Sequence, residues 1–423
     1  MSRNFPNWLQ AYLQYSSSSE APRRMHFWTG VSTIAGCLRR RVWIDQAYFR
    51  WYPNFYIIFV APPGVVSKTT TASIGMSLLR KVPGIKFGPD VVTWPALVSC
   101  FEEAKESFEY NSEFHFMSPL TLESGEFGNL LNPQDREMVD LLVSLWDAKT
   151  GGFEKRTKMS GNNLIENPWI NIIACTTPAW ISGNFPEYMI GGGFTSRCVF
   201  IYADQKAQYV PYPKLLVGQN HEDMQKALIE DLEHISTCLC GEYELSPEAI
   251  AWGSQWYLAL HQSRPEHLSD DRFGGYVARK QSHIHKLAMV LAAAESDRLV
   301  LTDMHLQIAD SMVTDLEKSM LKVFAGVGRA EASTYADRII AFVAKRGSVP
   351  YDEVYRFIHT AIPSARNFED VLLGCIRARH LRLVQKPDGH YLEALTHGDV
   401  IDECTANVEF QQKFQRMVCE EKK

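Results

Sequence analysis

The segment Phe55-Tyr-Ile-Ile-Phe-Val-Ala-Pro-Pro-Gly-Val-Val-Ser-Lys-Thr-Thr-Thr-Ala-Ser-Ile-Gly-Met-Ser-Leu-Leu79 constrains this chain more than any other. A continuous apolar run, Phe55 to Ala61, has the character of a buried central strand, since strands covered on both faces lose the in-out alternation. It runs directly into Pro62-Pro63-Gly64, a turn signal, and then into Lys68-Thr69-Thr70 at the start of an apolar-periodic segment predicted to be helical over 70–81. A strand, a tight loop and a helix opening on Lys-Thr form an anion-binding device. Backbone N–H groups of the loop and the helix N-terminus face phosphate oxygens, a lysine reaches the outer phosphates, and a threonine hydroxyl ligates Mg²⁺. The expected phosphate-binding residues are Pro63, Gly64, Val65, Val66, Ser67, Lys68, Thr69 and Thr70. Aligned on Lys-Thr, the pattern GxxxxGK[ST] falls on Pro62 to Thr69, with Pro62 and Ser67 where glycines are usual. Ser67 carries a Cβ at a position that often needs positive φ, so a remodelled loop is expected.

Further along, Phe116 to Leu122, the stretch around Trp169 to Cys175, and Cys198 to Tyr202 read as strands, with helical patterns over 70–81, 94–109 and 135–146. Alternating strands and helices imply an α/β layer with a largely parallel sheet. The strand FMSPLTLESGEF ends in Glu123, Ser124, Gly125 and Glu126. Acids at a strand's carboxyl end suit metal and water activation: Glu126 is the candidate for polarising an attacking water, and Glu123 for a metal contact made through water beside Thr69. The alternative is two surface acids. In WINIIACTTPAW a strand ends in Thr176 and Thr177, where a hydroxyl can orient water, and in GGGFTSRCVFIY Arg197 can offset charge developing in a transition state, in cis or across a subunit boundary. Either can equally be a structural residue.

Residues from about 221 to 328 are almost wholly helical in pattern and read as a lid, while 331–395 read as three helices and a hairpin turning at Asp388-Gly389, the signature of a winged helix-turn-helix. The expected division is an N-terminal helical arm (1–50), an ATPase core (51–215), a helical lid domain (216–328), a winged-helix domain (329–400) and a charged C-terminal tail (401–423).

The order APPGVVSKTT, LESGEFGNLL, WDAKTGGFEKRTK, NPWINIIACTTP, GGGFTSRCVF resembles the ATPase core of phage- and plasmid-encoded replication proteins, the primase-helicase-like NTPases of mobile elements related to superfamily 3 helicases and the AAA+ group. The resemblance covers about residues 20 to 300. It implies an α/β P-loop NTPase core (AAA+/RecA-like) with a parallel sheet, helical lid and C-terminal winged helix. ATP and Mg²⁺ are the implied cofactors, a hexameric homo-oligomeric ring with sites between subunits the implied assembly, and motion along DNA, more readily single-stranded, the implied activity. Other replication proteins are implied partners. By the same resemblance Lys68 and Thr69 lie at the phosphates and metal, Glu126 is the catalytic acid, Thr177 a sensor and Arg197 an arginine finger. YVARKQSHIHKLA is similar to the group's sensor-two helix and puts Arg279 near the γ-phosphate. The departures at Ser67 and Gly125 leave room for a second reading, an ATP-switched DNA-binding or helicase-loader protein with little turnover. No acidic nuclease cluster follows the core, which sets a DNA-packaging motor aside.

Between the acidic and threonine strands, DAKTGGFEKRTKMSGNN carries Lys149, Lys155, Arg156 and Lys158 around Gly151-Gly152, either a pore loop gripping a single strand, with Phe153 adding stacking, or a solvated hairpin. In the winged-helix region Arg366, Arg377, Arg379, Arg382 and Lys386 are set against Glu369 and Asp370, a pattern that suits DNA phosphates or a protein partner. The chain's net charge of −6 does not oppose this, because residues 221–248 alone carry −7 and leave the remaining residues at +1. No apolar run approaches the roughly 20 residues of a membrane span. The start MSRNFPNWLQAYLQ lacks a signal peptide's apolar core, and the nine cysteines contain no CxxC pair. These features predict reduced thiols and a cytoplasmic location, the host's cytoplasm for a phage-encoded chain.

Overall fold

The computed structural model describes residues 3–157, 161–190, 192–324, 327 and 331–395, with the backbone alone at 153–157, 161–164, 187–188 and 331–334. The chain divides into two compact units, Met1–Val327 and Gly328–Lys423.

The first unit is mixed α/β and is organised by a five-stranded sheet in the order Glu106–Tyr110, Glu113–Ser124, Pro168–Thr176, Tyr56–Val60, Cys198–Tyr202. The last four are mutually parallel, and Glu106–Tyr110 is an antiparallel edge. Tyr56–Val60 and Pro168–Thr176 are buried at every position, which is why both read as unbroken apolar runs. Register puts Val60 opposite both Thr176 and Tyr202, and Ser124 opposite Ala174. The carboxyl ends of three strands therefore deliver Ala61, Gly125 and Thr177 to one rim of the sheet. At the other rim Tyr56 lies opposite Cys198, so Arg197 is about a strand length away, roughly 16 Å for five residues.

One sequence expectation is corrected here. The helix expected over 94–109 stops at Glu103, and Glu106–Tyr110 turns back as a strand against Glu113–Ser124. Ser107, Phe108, Glu109 and Tyr110 alternate outward and inward, and Asn111 and Ser112 take the positive φ values (53° and 63°) of a two-residue hairpin turn without a glycine.

The helix Lys68–Leu79 packs on Arg23–Leu38 at very close range: a Cβ on Gly75 would lie 2.5 Å from both Thr29 Cγ2 and Thr33 Oγ1. The amino-terminal helices also pack on the helices that follow the sheet. Trp8 Nε1 donates to the Leu228 carbonyl at 2.9 Å, and the N–H groups of Asn4 and Phe5 donate to the buried Asp231 carboxylate at 2.7 and 3.0 Å. The N-terminal helices, the sheet and the helices that follow it thus share one core. The long helix Gly274–Glu295 is buried along most of its length and is joined to Asp303–Glu317 through Glu317, a fully buried carboxylate that accepts from Lys280, Tyr276 and His267 at 2.8, 2.9 and 2.8 Å. Among the described residues no helix is long and apolar enough to cross a membrane.

In the second unit, helices Glu331–Arg346, Tyr351–Ile358 and Ala365–Arg377 enclose a core of Ile339, Val343, Val354, Ile358, Phe368, Leu372 and Leu392. An antiparallel sheet in the order Ser348–Pro350, Gly389–Ala394, Leu381–Lys386 closes it, and the hairpin register pairs Lys386 with Gly389 across Pro387-Asp388. The tail over 401–423 lies outside the described residues.

Candidate functional site

At the carboxyl rim the loop from Ala61 to Ser67 leaves a buried strand and enters Lys68–Leu79. The left-handed residue of this loop is Gly64 (φ 70°), with open space where a Cβ would sit, whereas Ser67 has φ −80°. The loop is remodelled relative to the usual pattern: it carries its positive φ at Gly64, and a serine fits at 67. The N–H groups of Val65, Lys68 and Thr71 bond within the loop, to Pro62, Val66 and Ser67 carbonyls. Those of Gly64, Val66, Ser67, Thr69 and Thr70 have no protein partner among the described residues, leaving a run of free donors at a helix start. Lys68 folds back so that its Nζ donates to the Ala61 carbonyl at 2.9 Å. Burial lowers the pKa of this half-buried ammonium, while Cys175 and Glu126 pull it back up.

Gly125 sits against Thr69, and a Cβ there would lie 3.2 Å from Thr69 Cγ2. The missing side chain at 125 leaves room for the Thr69 methyl, so the departure from an aspartate has a steric counterpart across the cleft, while the Thr69 hydroxyl lies beside the Cys175 thiol. Glu126 caps a short 3₁₀ turn, Phe127–Asn129, with its backbone and leaves its carboxylate exposed. Glu123 behaves differently: Ser73 Oγ donates to one oxygen at 2.7 Å and Arg80 Nη2 to the other at 3.1 Å. Both its oxygens are engaged on the helix side, and Glu126 is left as the free acid of the pair. Thr177 caps the helix Pro178–Asn184, its Oγ1 accepting from the Trp180 N–H at 3.1 Å, which leaves the hydroxyl proton free to donate. Between these groups lies Cys175, a residue the sequence reading passed over. Burial pushes its thiol up to about 12 even though Lys68 and the Thr69 hydroxyl stabilise the thiolate. Its position immediately before Thr176-Thr177 on the strand was the available signal. Among the described residues there is no cluster of three His, Cys, Asp or Glu able to hold a metal, so an ion here would rest on Thr69, Glu126 and the phosphates themselves.

Arg197 and Arg279 are not at this rim. Arg197 is almost fully buried and clasps Asp147, with Nη2 at 2.8 Å from both carboxylate oxygens and Nε at 3.1 Å from one, while Nη1 donates to the Gly193 carbonyl at 2.6 Å. Arg279 lies in the same electrostatic neighbourhood: burial lowers its pKa first, Arg197 lowers it further and Asp147 raises it. The fully buried Lys286 stands over the Trp146 ring at 3.5 Å and donates to Asn54 Oδ1 at 2.7 Å, again under the influence of Asp147 and Arg197. Two expectations change as a result. Arg197 stands at the opposite rim of the sheet from Lys68, bound to Asp147 of its own chain, and Arg279 has Arg197 and Asp147, not Lys68, as its charged neighbours. Asp147 and Lys286 are the members of this group that the sequence reading missed; Asp147 lies beside the basic stretch already singled out.

Lys149 is exposed at the base of the hairpin formed by Gly152–Thr157 and Gly161–Glu166, whose register pairs Lys155 with Asn163 and Arg156 with Asn162. The side chains of Phe153, Lys155 and Arg156, and Lys158 altogether, lie outside the described residues. In the second unit the cations separate into two groups. Arg382 and Lys386 are both paired with Glu393, whereas Arg366, Arg377 and Arg379 are exposed on or just after the third helix with no protein partner among the described residues.

No protein-family model matches the sequence, and no curated protein matches it significantly.

Proposed function

We propose that this protein is an ATP-hydrolysing, DNA-dependent motor that works as a homo-oligomeric ring, as a replicative helicase of a phage or other mobile element does. The observation that carries the reading is the convergence at one sheet rim of five amide donors without a protein partner among the described residues, Lys68, the exposed Thr69 and the free carboxylate of Glu126. Such a set fits a nucleoside triphosphate with Mg²⁺, the ion supplying charge neutralisation at the phosphates. In this reading the loop amides and Lys68 hold the phosphates, Thr69 faces the metal, Glu126 takes the proton of the attacking water, and Thr177 orients that water. Charge compensation is then left to Arg279, offered across a subunit boundary, since Arg197 is buried and bound to Asp147 and Gly193 of its own chain. The exposed Lys149 hairpin and the unpaired Arg366, Arg377 and Arg379 supply the contacts to DNA, single-stranded at the hairpin, and the protein's place is the cytoplasm in which such DNA is copied. The second unit is proposed to be a winged helix, on its three helices and terminal hairpin.

The engagement of both Glu123 oxygens by Ser73 and Arg80 favours one competing reading, an ATP-switched loader with little turnover. Sizing with a non-hydrolysable ATP analogue, run beside an ATPase assay with single-stranded DNA, separates the two. The motor reading expects a nucleotide-dependent ring and DNA-stimulated turnover. A ring without turnover supports the loader, and absence of nucleotide binding overturns both.

A further inference from the structure

We propose that two exposed apolar surfaces of the larger unit, the segment 209–216 and the outer face of helix Pro247–Gln262, dock on one another between copies of this chain, head to tail; the inference rests on the reading of this chain as a homo-oligomeric ring and names its subunit contact. The segment reads Tyr-Val-Pro-Tyr-Pro-Lys-Leu-Leu, and no acid occurs between Asp204 and Glu222 while Lys206 and Lys214 do. Tyr212 is 71% exposed and Leu215 78%, with Tyr209 and Leu216 exposed beside them. The backbone that presents them is anchored. Lys206 Nζ donates to one Glu20 oxygen at 2.6 Å, the Val210 N–H to the other at 3.1 Å, and Gln208 Nε2 to the carbonyls of Ser17 and Ser19 at 2.8 Å. Pro211 and Pro213 fix their own φ, and a 3₁₀ turn over Pro213–Leu215 closes with the Leu215 N–H on the Tyr212 carbonyl at 3.0 Å. Little freedom is left to lose when such a segment meets a partner.

Helix Pro247–Gln262 starts at Ser246, whose side chain accepts from the Ala249 N–H at 3.2 Å. Its inner side is occupied: Ala249 and Leu260 are buried, Trp252 and Trp256 pack on the core, and Gly253 lies against Leu306 of helix Asp303–Glu317. The outer side carries Ile250, Ser254, Tyr257 and Leu258, whose spacing puts them on one face, with Ile250 56% and Leu258 57% exposed. The neighbouring helix adds the exposed Met304 and Ile308. A solvated helix face ordinarily carries charge, yet after Glu248 this helix contains no lysine, arginine or acid. Single exposed apolar side chains are ordinary, whereas an uncharged apolar face marks a contact.

Charge and position name the occupant. Glu242, Glu244 and Glu248 are exposed around the start of the helix and enter no ion pair among the described residues, and Lys214 is exposed and equally unpaired in the middle of the segment. A basic apolar segment and an acidic-rimmed apolar face complement each other. They stand apart in one chain. The segment departs from Asp204, which accepts from Lys322 at 3.2 Å just past the C-terminal end of helix Asp303–Glu317, whereas Met304 is at that helix's N-terminal end, about 20 Å away at 1.5 Å per residue. Neither surface covers the other within its own chain, since both are exposed. Two different surfaces that match make a heterologous contact, the kind that repeats from subunit to subunit and closes a ring.

The test is sedimentation velocity of the full-length protein with a non-hydrolysable ATP analogue. Tyr212→Ser/Leu215→Ser alters the segment and Leu258→Gln/Met304→Gln the face. Each double variant alone should associate about 100-fold or more weakly than wild type, as expected on removing two central apolar contacts. Mixed in equal amounts, the intact segment of one meets the intact face of the other, and the mixture forms one-to-one dimers that grow no further. Lys214→Glu, a change at an exposed side chain that leaves the fold alone, also weakens assembly, and Glu244→Lys/Glu248→Lys in the same chain restores it. A wild type that stays monomeric removes the ring reading and the inference with it. Wild-type assembly that both double variants retain overturns the inference, leaves the ring reading intact and assigns the two surfaces to a different protein. Double variants that stay monomeric when mixed, while Lys214→Glu assembles like wild type, overturn it as well.

Discussion

Replacing Asp147 by alanine removes the counter-ion of a guanidinium whose side chain is only 6% exposed. Arg197 then keeps the Gly193 carbonyl and the face of Trp146, 5.5 Å from its centroid, but loses three contacts to carboxylate oxygens and retains Arg279 and Lys286 as cationic neighbours. Breaking a buried ion pair from one side costs about 3–5 kcal/mol. Because the Asp147 side chain is 33% exposed, water can reach the vacated place, and the lower end, about 3 kcal/mol, is the expected loss. All ten tryptophans precede residue 328, so tryptophan fluorescence during urea unfolding follows the larger unit alone. Removing both partners together, as Asp147→Ala/Arg197→Met, leaves no buried charge at the pair and recovers roughly 2 kcal/mol of that loss. An Asp147→Ala protein within about 0.5 kcal/mol of wild type, or a double variant no more stable than the single one, refutes the claim that Arg197 is held internally.

Further outcomes follow from other parts of the molecule. His26, His283 and His285 are buried neutral rings whose pKa values burial lowers to about 4. The unfolded chain takes up protons at these sites below about pH 6.5 while the folded chain does not, so stability is full above that pH and falls as pH drops toward 4, by on the order of 3 kcal/mol per ring. Thermal unfolding from pH 7.5 down to 5 should show a falling midpoint, and a rising one contradicts their burial. Gly75→Ala forces a Cβ within 2.5 Å of Thr29 and Thr33 and is expected to cost about 1–3 kcal/mol in the same urea assay, whereas a neutral result means the two helices are farther apart than described. Arg366→Ala and Arg377→Ala should each weaken DNA binding evenly across sequences and lower the slope of log affinity against log salt by about 1. An unchanged slope assigns that helix face to a protein partner.

Local chemistry made the carboxyl rim legible and long-range pairing hid the rest. The run from Phe55 to Thr70 declares a buried strand, a turn and a helix start in consecutive residues, and the threonine strand announces itself in the same way, since burial on both faces leaves it no polar positions before its end. The helix expected over 94–109 overran because Glu102, Glu103, Lys105 and Glu106 are good helix formers, and only pairing with Glu113–Ser124 turns Glu106–Tyr110 into a strand. Arg197 and Asp147 are fifty positions apart, so the clasp that holds the arginine is invisible to any window of sequence. The same holds for Glu123, whose partners Ser73 and Arg80 come from the neighbouring helix, and for Arg279, placed beside Arg197 by the burial of its helix. Ser67 looked costly from a pattern that assumes one loop geometry, and the chain resolves it by assigning the left-handed residue to Gly64.

The central claim is that Lys68 and Glu126 work on one nucleotide, and steady-state ATP hydrolysis by wild type, Lys68→Ala and Glu126→Gln, each with and without single-stranded DNA, tests it most directly. Wild-type turnover should rise with DNA. Lys68→Ala should lose both nucleotide affinity and turnover, and Glu126→Gln should bind ATP normally with turnover reduced about 100-fold or more, as expected on removing the group that takes the water's proton. Absence of wild-type turnover, or turnover that survives Lys68→Ala, contradicts the account.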